Sequence, residues 1–394
     1  MNETFDAIVI GGGAAGLMCA ATAGQRRRRV LLLEHTEAIG KKILISGGGR
    51  CNFTNIHTAP DRFVSANPHF AKSALARYTP SDFLALVERH RIAWYEKTLG
   101  QLFCEGAGAA RKIVAMLAAE CTAGDVDIRV NCTVRDVRRT DRFIVETSLG
   151  AFEAPALVLA TGGPSIPKLG ATDFAHRIAT QFGLPLVEVA PALAPLTFGA
   201  DDLAWMQPLS GVALDVEARA GAGRFREAAL FTHRGLSGPA ILQASTYWRN
   251  GQAITLDLAP GTDAEATLKQ AKQTRPKALL RTALADIVPA RFAEHLAQNF
   301  EGDRILAEQR DTALSDLARL LSAFTLMPSG DEGWAKAEVA RGGVDTRALS
   351  SQTMAARDVP GLFVIGEAVD VTGWLGGYNF QWAWASGWCA GQAL

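Results

Sequence analysis

The stretch DAIVIGGGAAG, Asp6–Gly16, decides the fold. Its first five residues, an aspartate followed by the apolar run Ala7–Ile10, are typical of a buried strand, and the glycines follow directly. The pattern then predicts a helix over Ala14–Gly24 and a second strand over Val30–Glu34, which ends on an acid. Strand, glycine turn, helix, strand and acid in this order form the fingerprint of a dinucleotide-binding βαβ unit.

Each part of this fingerprint has a physical role. Gly11 permits the tight turn, Gly13 lets the backbone approach a pyrophosphate, and Gly16 lets the helix pack closely against the sheet. The phosphates lie at the helix N-terminus, where unpaired amides favour negative charge. Glu34 is placed to accept a hydrogen bond from a ribose 2′-hydroxyl and would repel a 2′-phosphate, which favours FAD or NAD over NADP. The expected contacts are Gly11, Gly13, Ala14, Ala15, Gly16, Glu34 and His35.

Two later strands decide between FAD and NAD. Ala156–Ala160 is a continuous apolar run that ends at Thr161-Gly162-Gly163, and Gly361–Ile365 leads into Gly366-Glu367-Ala368-Val369-Asp370. Both resemble the strand-to-loop signatures of FAD enzymes of the glutathione-reductase structural type, with Glu367 where an aspartate is more usual. A NAD dehydrogenase has no need to bring its last residues back to the nucleotide sheet. FAD is therefore the expected cofactor, with contacts from Thr161, Gly162, Gly366, Glu367 and Asp370.

Three longer motifs carry a family resemblance: GKKILISGGGRCNFTN (residues 40–55), FTHRGLSGP (231–239) and GWLGGYNFQWA (373–383). With them, nearly the whole chain resembles a family of bacterial flavoproteins described as NAD(P)/FAD-dependent oxidoreductases or aminoacetone-oxidase-like FAD-binding enzymes. The resemblance implies a Rossmann-type FAD domain interrupted by a second, substrate-side region. It does not imply one substrate.

The fold class that we expect is therefore α/β, with a Rossmann-type FAD-binding domain interrupted by an inserted β region and a helical subdomain. A proline cluster at Pro191–Pro195 marks the exit from the FAD domain, and the return falls near Leu326-Met327-Pro328. The predicted boundaries are 1–190 for the first part of the FAD domain, 191–260 for the β region, 261–325 for the helical subdomain and 326–394 for the return.

Composition excludes several function classes. Forty basic residues balance forty acidic ones, so no global field draws the protein to nucleic acid or to an anionic membrane. No apolar run approaches the length of a membrane span. The N-terminus enters a core strand almost at once, and the six cysteines contain no Cys-x-x-Cys pair. We expect a cytoplasmic protein with reduced thiols, a small-molecule substrate, and no nucleic-acid, membrane or metal partner; its oligomeric state is left open.

The flavin side of the site is expected in two segments. The run Ser46–Asn52 offers flexible amides to the pyrophosphate or the flavin edge. Gly376 and Gly377 open the last helix, whose positive N-terminus favours the anionic reduced ring. Val134 is expected to reach the adenine end through its backbone. The contacts expected here are Lys42, Ser46, Gly47, Gly48, Gly49, Arg50, Cys51, Asn52, Val134, Gly376, Gly377, Tyr378, Asn379 and Gln381.

Catalytic groups are harder to assign. His233, in the 231–239 motif, is the best candidate proton donor among the histidines, although a loop histidine satisfied by backbone carbonyls is the favoured explanation. Tyr378 competes for the same role, and Arg50 supplies a fixed positive charge. Cys51 follows Arg50, which would favour a thiolate, but we expect it to fill space beside the cofactor.

The expected function is transfer of a hydride between a small organic substrate and flavin, with NAD(P)H or oxygen completing the cycle. An alternative enzyme is a peroxide-forming oxidase of small amines or amino ketones. An alternative of another class is an FAD-loaded sensor or binding protein, which would show a blocked ring face and an exposed apolar surface on the insert.

Overall fold

The protein was analysed as a computed structural model, which describes residues 3–300 and 302–394. Met1, Asn2 and Glu301, which fall inside the predicted 1–190 and 261–325 segments, lie outside the described residues. The α-helices described are α1 (Ala14–Gln25), α2 (Lys41–Ile45), α3 (Ala71–Arg77), α4 (Pro80–Arg89), α5 (Ala110–Ala123), α6 (Phe174–Gln181), α7 (Ala200–Met206), α8 (Pro239–Tyr247), α9 (Ala264–Thr274), α10 (Leu280–Leu284), α11 (Ala290–Phe300), α12 (Asp311–Ser322) and α13 (Tyr378–Ala393).

The strands described are short and numerous. In chain order they are β1 (Glu3–Thr4), β2 (Ala7–Ile10), β3 (Val30–Leu33), β4 (Asn52–Asn55), β5 (Phe63–Val64), β6 (Trp94–Glu96), β7 (Gln101–Cys104), β8 (Asp127–Arg129), β9 (Val134–Arg139), β10 (Phe143–Thr147), β11 (Gly150–Ala154), β12 (Ala156–Leu159), β13 (Leu186–Ala192), β14 (Leu196–Thr197), β15 (Ala213–Ala220), β16 (Gly223–Thr232), β17 (Gly235–Ser237), β18 (Ile254–Asp257), β19 (Phe324–Leu326), β20 (Gly330–Asp331), β21 (Val339–Val344), β22 (Leu362–Val364) and β23 (Thr372–Gly373).

The chain forms two compact units, Met1–Ala190 with Val339–Leu394, and Pro191–Glu338. The first unit contains a parallel sheet in the order β22-β12-β2-β3-β8. Every residue of β2 and β3 is buried, as expected for central parallel strands covered on both faces. The predicted α/β class with a Rossmann-type sheet is confirmed.

Helix α13 packs closely on α1 because two of its residues lack side chains. A Cβ added at Gly387 would lie 2.5 Å from the Ala15 carbonyl oxygen, and one at Gly391 would lie 2.7 Å from that of Cys19. The C-terminal helix therefore covers the nucleotide-binding helix. A second sheet, β1-β11-β10-β9, and the small sheet β4-β7-β6 complete the parts of this unit that bear on the site.

The second unit holds the sheet β19-β18-β15-β16-β17-β14-β20, whose neighbouring strands run antiparallel, together with helices α7–α12. The predicted return of the chain to the FAD-binding domain at residue 326 differs from the structure. Residues 324–326 pair with β18, and Gly330–Asp331 pair with β14, so the second unit continues to Glu338. The finer division of this unit into a β region and a helical subdomain stays a prediction.

Candidate cofactor site

Two glycines of the first turn are fixed by protein packing. Gly11 has a φ of +113°, which side chains rarely adopt, and a Cβ there would lie 2.6 Å from the Ala160 carbonyl oxygen. A Cβ at Gly16 would lie 1.9 Å from the Gly11 carbonyl oxygen. These glycines therefore bring β2, β12 and α1 together at the carboxyl edge of the sheet.

Gly13 is different, because nothing in the protein requires a glycine there. It caps the N-terminus of α1 with φ −83° and ψ −170°, an extended conformation open to any residue. A Cβ at Gly13 would meet no described protein atom within 4 Å. Ala14 and Ala15 begin the helix, whose first turn contains no acid. This open space before unpaired helix amides fits an anionic ligand such as a pyrophosphate.

The Glu34 carboxylate closes one side of the turn. Its Oε2 accepts the Gly12 amide at 2.9 Å, and its Oε1 accepts both the amide and the hydroxyl of Thr36. His35 Nδ1 also lies 3.2 Å from Oε1. Since a carboxylate oxygen has two lone pairs, Oε2 retains one site that can accept a ribose hydroxyl, whereas Oε1 is saturated.

These contacts perturb both titrating groups. Burial raises the pKa of Glu34, but the hydrogen bonds from His35, Thr36 and Gly12 outweigh it and lower the pKa to about 2. The hydrogen bond to Glu34 in turn raises the pKa of His35 above its ordinary value. Glu34 is thus a fixed anion, in a position that suits a ribose and disfavours a phosphate.

The ends of β12 and β22 meet this turn. Gly162 and Gly366 have φ values of +72° and +66°, and a Cβ at Gly366 would lie 2.9 Å from that of Ala15. Among the described residues, Thr161 Oγ1 is buried without a hydrogen-bond partner. An orphaned hydroxyl beside the glycine turn is a second observation that fits a bound polar ligand.

Lys42 and Glu367 form an ion pair. The Lys42 Nζ lies 2.7 Å from Glu367 Oε2 and 2.6 Å from Ser165 Oγ, and Ser165 donates to Glu367 Oε1 at 2.8 Å. The Ala340 amide donates to the same Oε1 at 2.9 Å. Ser165 and Ala340 were missed by sequence reasoning, since no local pattern links residues so far apart. The pair connects α2 to the loop after β22.

Asp370 lies in the same loop after β22 and accepts hydrogen bonds from another segment of the chain. It is buried, and its Oδ2 accepts the Ala66 amide at 2.8 Å and lies 3.4 Å from Ser65 Oγ. Burial raises the pKa of Asp370 above its ordinary value. The structure therefore gives this carboxylate a role in anchoring residues 65–66, and direct contact with the cofactor stays a prediction.

The glycine run Ser46–Gly49 forms a tight turn in which Gly47, Gly48 and Gly49 all have positive φ. A Cβ at Gly47 would lie 2.7 Å from the Phe103 ring, whereas one at Gly48 would meet nothing within 4 Å. After Arg50 and Cys51, the chain enters β4 at Asn52. The turn packs on Phe103 with one side and leaves Gly48 open on the other.

Cys51 is fully buried, and burial raises its pKa to about 12. Its thiol is therefore neutral at physiological pH, which agrees with a packing role and not with an activated thiolate. Arg50 beside it is exposed, with Nη1 3.2 Å from the Tyr95 hydroxyl. Arg50 and Lys97 both lie over the Phe103 ring, at 5.7 and 5.5 Å from its centroid.

Two residues at the start of α13 that were expected to contact the flavin ring have hydrogen-bond partners within the protein. Gln381 is 0% exposed, and its side chain accepts from Thr54 Oγ1 at 2.6 Å and donates to the Tyr78 carbonyl at 2.9 Å. Asn379 accepts the Gly373 amide and donates to the Gly373 carbonyl, both at 2.8 Å. Both side chains are therefore oriented by the protein, and a contact from either of them to the flavin ring stays a prediction.

Gly376 and Gly377 precede α13 with φ values of +106° and +96°. A Cβ at Gly377 would lie 2.4 Å from the Thr54 carbonyl oxygen, so this glycine lets the helix approach β4. Tyr378 is 6% exposed and packs edge-to-face against Phe63. The predicted catalytic tyrosine is thus largely enclosed by aromatic neighbours.

Val134 begins β9, two residues after Cys132, whose amide donates to the Glu34 carbonyl at 2.9 Å. This places the segment beside the acid predicted to bind ribose. His233 lies in the second unit, in the exposed turn between β16 and β17, where its carbonyl accepts from Gln207 at 3.2 Å.

The parallel sheet, the glycine turn and the acid after the second strand define a dinucleotide-binding protein of the Rossmann class. The chain belongs to the HI0933-like protein Rossmann domain family, which it matches over residues 5–393. Family and fold together support FAD as the cofactor, but no comparison gives specific support for an aminoacetone-oxidase-like member.

Two relatives of known name span most of the chain. A ribosomal RNA dihydrouridine synthase of Escherichia coli is 48% identical over 397 residues, covering 100% of this chain and 98% of the relative. A 3-dehydro-bile acid delta(4,6)-reductase of Clostridium scindens is 29% identical over 384 residues, covering 92% and 91%. A quinol-fumarate reductase structure shares the fold, with a TM-score of 0.51 and 14% identity over 100% of this chain and 71% of that one.

Among the described residues, no helix combines the length and apolar character needed to cross a membrane. All six cysteines are buried and free of disulfide bonds.

Proposed function

We propose that the protein is an FAD-dependent reductase that adds hydride to an activated carbon–carbon double bond, with uridine in ribosomal RNA as the substrate. The observation that carries this proposal is the full-length 48% identity to a ribosomal RNA dihydrouridine synthase. Dihydrouridine is uridine with its ring double bond reduced, and the second relative is also named as a reductase. RNA thus takes the place of the small-molecule substrate expected from composition.

The cofactor is held by the first unit in this proposal. The pyrophosphate lies before Gly13 on the N-terminus of α1, and the adenosine ribose is accepted by Glu34 Oε2, with Val134 at the adenine end. Thr161, whose hydroxyl is orphaned, and Gly162 line the same edge. The remaining residues of this proposed FAD site are Gly366, Glu367 with its partner Lys42, and the turn Ser46–Asn52. When bound, FAD supplies a centre that accepts a hydride from NAD(P)H and delivers it to the substrate.

The exposed surface beside the glycine turn supports an RNA substrate. Arg50 and Lys97 flank the Phe103 ring, and Tyr95 stacks on the same ring with centroids 5.8 Å apart. Phe103 itself is 5% exposed and closed to a base, so this surface offers an RNA strand the exposed cations Arg50 and Lys97 and the half-buried ring of Tyr95. In this proposal Arg50 contacts the RNA backbone or the uracil carbonyl, as a fixed charge and not as a proton donor.

Reduction of uridine consumes one hydride from NAD(P)H and one proton. His233 and Tyr378 are the proposed proton donors, and they differ in exposure because His233 lies in an exposed turn and Tyr378 is largely buried. An exposed side chain is open to a large substrate such as RNA, which favours His233 over Tyr378.

The test is an anaerobic reaction of the FAD-loaded protein with NADPH or NADH and ribosomal RNA lacking dihydrouridine. We expect one or a few uridines to gain two hydrogens, measured by mass spectrometry of nuclease fragments. A reaction without reduced nicotinamide and one with the His233→Gln variant serve as controls. Unchanged RNA alongside a fully reduced flavin would contradict the proposed substrate.

A further inference from the structure

A cavity of about 460 Å³ lies in the first unit, between the segment before α3 and the 3-10 turn after β21. Its polar lining consists of Asn67, His69, Thr346, Arg347, Ser351 and Arg357, and no aspartate or glutamate lines it. The remaining lining residues, Phe70 and Leu349, are apolar and buried. A site of this volume is large enough for a nucleotide-sized group.

The charge of the cavity is positive. Arg347 is oriented by Asp345, which is buried and accepts from its Nε and Nη2 at 3.0 and 2.5 Å. Arg357 is exposed, and the described residues offer it no carboxylate within ion-pair distance. Asp345 neutralises one of the two guanidinium groups, so the second remains uncompensated. Such a lining favours an anion with several oxygens.

Thr346 provides a second observation on this cavity, independent of its charge. Thr346 is one of the residues that line the cavity and is 2% exposed, and its buried Oγ1 has no hydrogen-bond partner among the described residues. A buried hydroxyl without a partner destabilises the folded protein, so native proteins seldom retain one without a use. The hydroxyl is covered while the cavity is empty, so a ligand oxygen would satisfy it once the Thr346 side chain rotates towards the cavity.

We propose that this cavity binds the phosphate ester of a nucleotide, with Arg357 and Arg347 holding the phosphate oxygens and Thr346 donating to one of them. The phosphate has two possible sources, the nicotinamide dinucleotide and the RNA strand. The choice between them rests on the proposed function, but the phosphate site itself does not.

The primary test is calorimetric titration of the FAD-loaded protein with pyrophosphate. Arg357→Gln should weaken binding about tenfold to a hundredfold, and Arg357→Lys should restore part of it. Arg135→Gln is the matched control, since Arg135 is also exposed, forms no ion pair with the described residues, and lies in β9 outside the cavity. Equal affinity in wild type and Arg357→Gln, or an equal loss in the control, would overturn the site.

Thr346→Val separates binding from structure. Removing an unpartnered buried hydroxyl should leave the unfolding temperature unchanged or raise it, while pyrophosphate affinity falls. A lowered unfolding temperature with unchanged affinity would show a structural role and contradict the proposal.

Two further assays of Arg357→Gln identify the source of the phosphate. A raised KM for NADPH with unchanged RNA affinity assigns the cavity to the dinucleotide, and the reverse result assigns it to RNA; either supports the site. If wild type binds pyrophosphate but does not reduce ribosomal RNA, the phosphate site stands and the proposed function fails.

Discussion

Glu34 accepts the Gly12 amide at 2.9 Å, so the acid that follows the second strand is hydrogen-bonded directly to the glycine turn that follows the first. The contact joins residues 22 positions apart and is buried. The acid therefore shapes the turn as well as offering an oxygen to a ribose, and its ionisation is linked to folding.

We expect Glu34→Gln to lose stability in a pH-dependent manner. Because the folded pKa is lowered to about 2 from 4.5, the stabilisation is present above pH 4.5 and is lost as pH falls through about 2. The shift corresponds to about 3 kcal/mol at most. Thermal unfolding of wild type and variant should differ at pH 7 and converge towards pH 2. Glu37→Gln, at an exposed neighbouring site, is the control and should change the unfolding temperature little. A difference in unfolding temperature between wild type and Glu34→Gln that does not vary with pH would contradict the link between Glu34 ionisation and stability.

The sequence could predict those parts of the fold that depend on patterns among residues close together in the chain. The apolar runs of β2, β3, β12 and β22 and the glycines between them fix the parallel sheet. Sequence could not predict the partners of Gln381, because Thr54 and Tyr78 lie more than 300 residues away along the chain. The return at Val339 was missed for a similar reason: residues 324–331 pair with strands of the second unit, and only the structure shows that pairing.

Gly13→Ala should weaken FAD binding by about an order of magnitude or more while leaving the apoprotein stable. The backbone angles suit alanine and the protein leaves the position open, so only a ligand would be displaced. Gly199→Ala is the matched control, since Gly199 also caps a helix with extended angles and has nothing within 4 Å. Flavin content and unfolding temperature measure the two effects. Full flavin retention in Gly13→Ala would refute the placement of the pyrophosphate.

Gln381→Leu tests whether this residue serves the protein or the flavin. The leucine leaves the Tyr78 carbonyl and the Thr54 hydroxyl without partners, at a cost of about 1–3 kcal/mol for each group. We expect a lower unfolding temperature with an unchanged visible spectrum of bound flavin. A spectral shift without loss of stability would restore the predicted ring contact.

Cys51→Ala and Cys51→Ser should keep FAD and most of the rate of flavin reduction, because the buried thiol stays neutral at a pKa of about 12. Their main effect should be a loss of stability, smaller for alanine than for the buried hydroxyl of serine. Rapid-mixing measurement of flavin reduction by NADPH gives the comparison. A loss of about a thousandfold with FAD still bound would place Cys51 in the chemistry.

In the proposed reaction, uridine in RNA would accept a hydride supplied by the FAD that the first unit would hold. The most direct measurement of this transfer is anaerobic rapid mixing. The bound flavin is first reduced with NADPH, and the unreacted NADPH is removed. The reduced protein is then mixed with ribosomal RNA lacking dihydrouridine. We predict that the flavin absorption returns without oxygen, and that dihydrouridine forms in equal amount. A flavin that stays reduced in the presence of RNA and is reoxidised only when oxygen is admitted would contradict the account and indicate an oxidase.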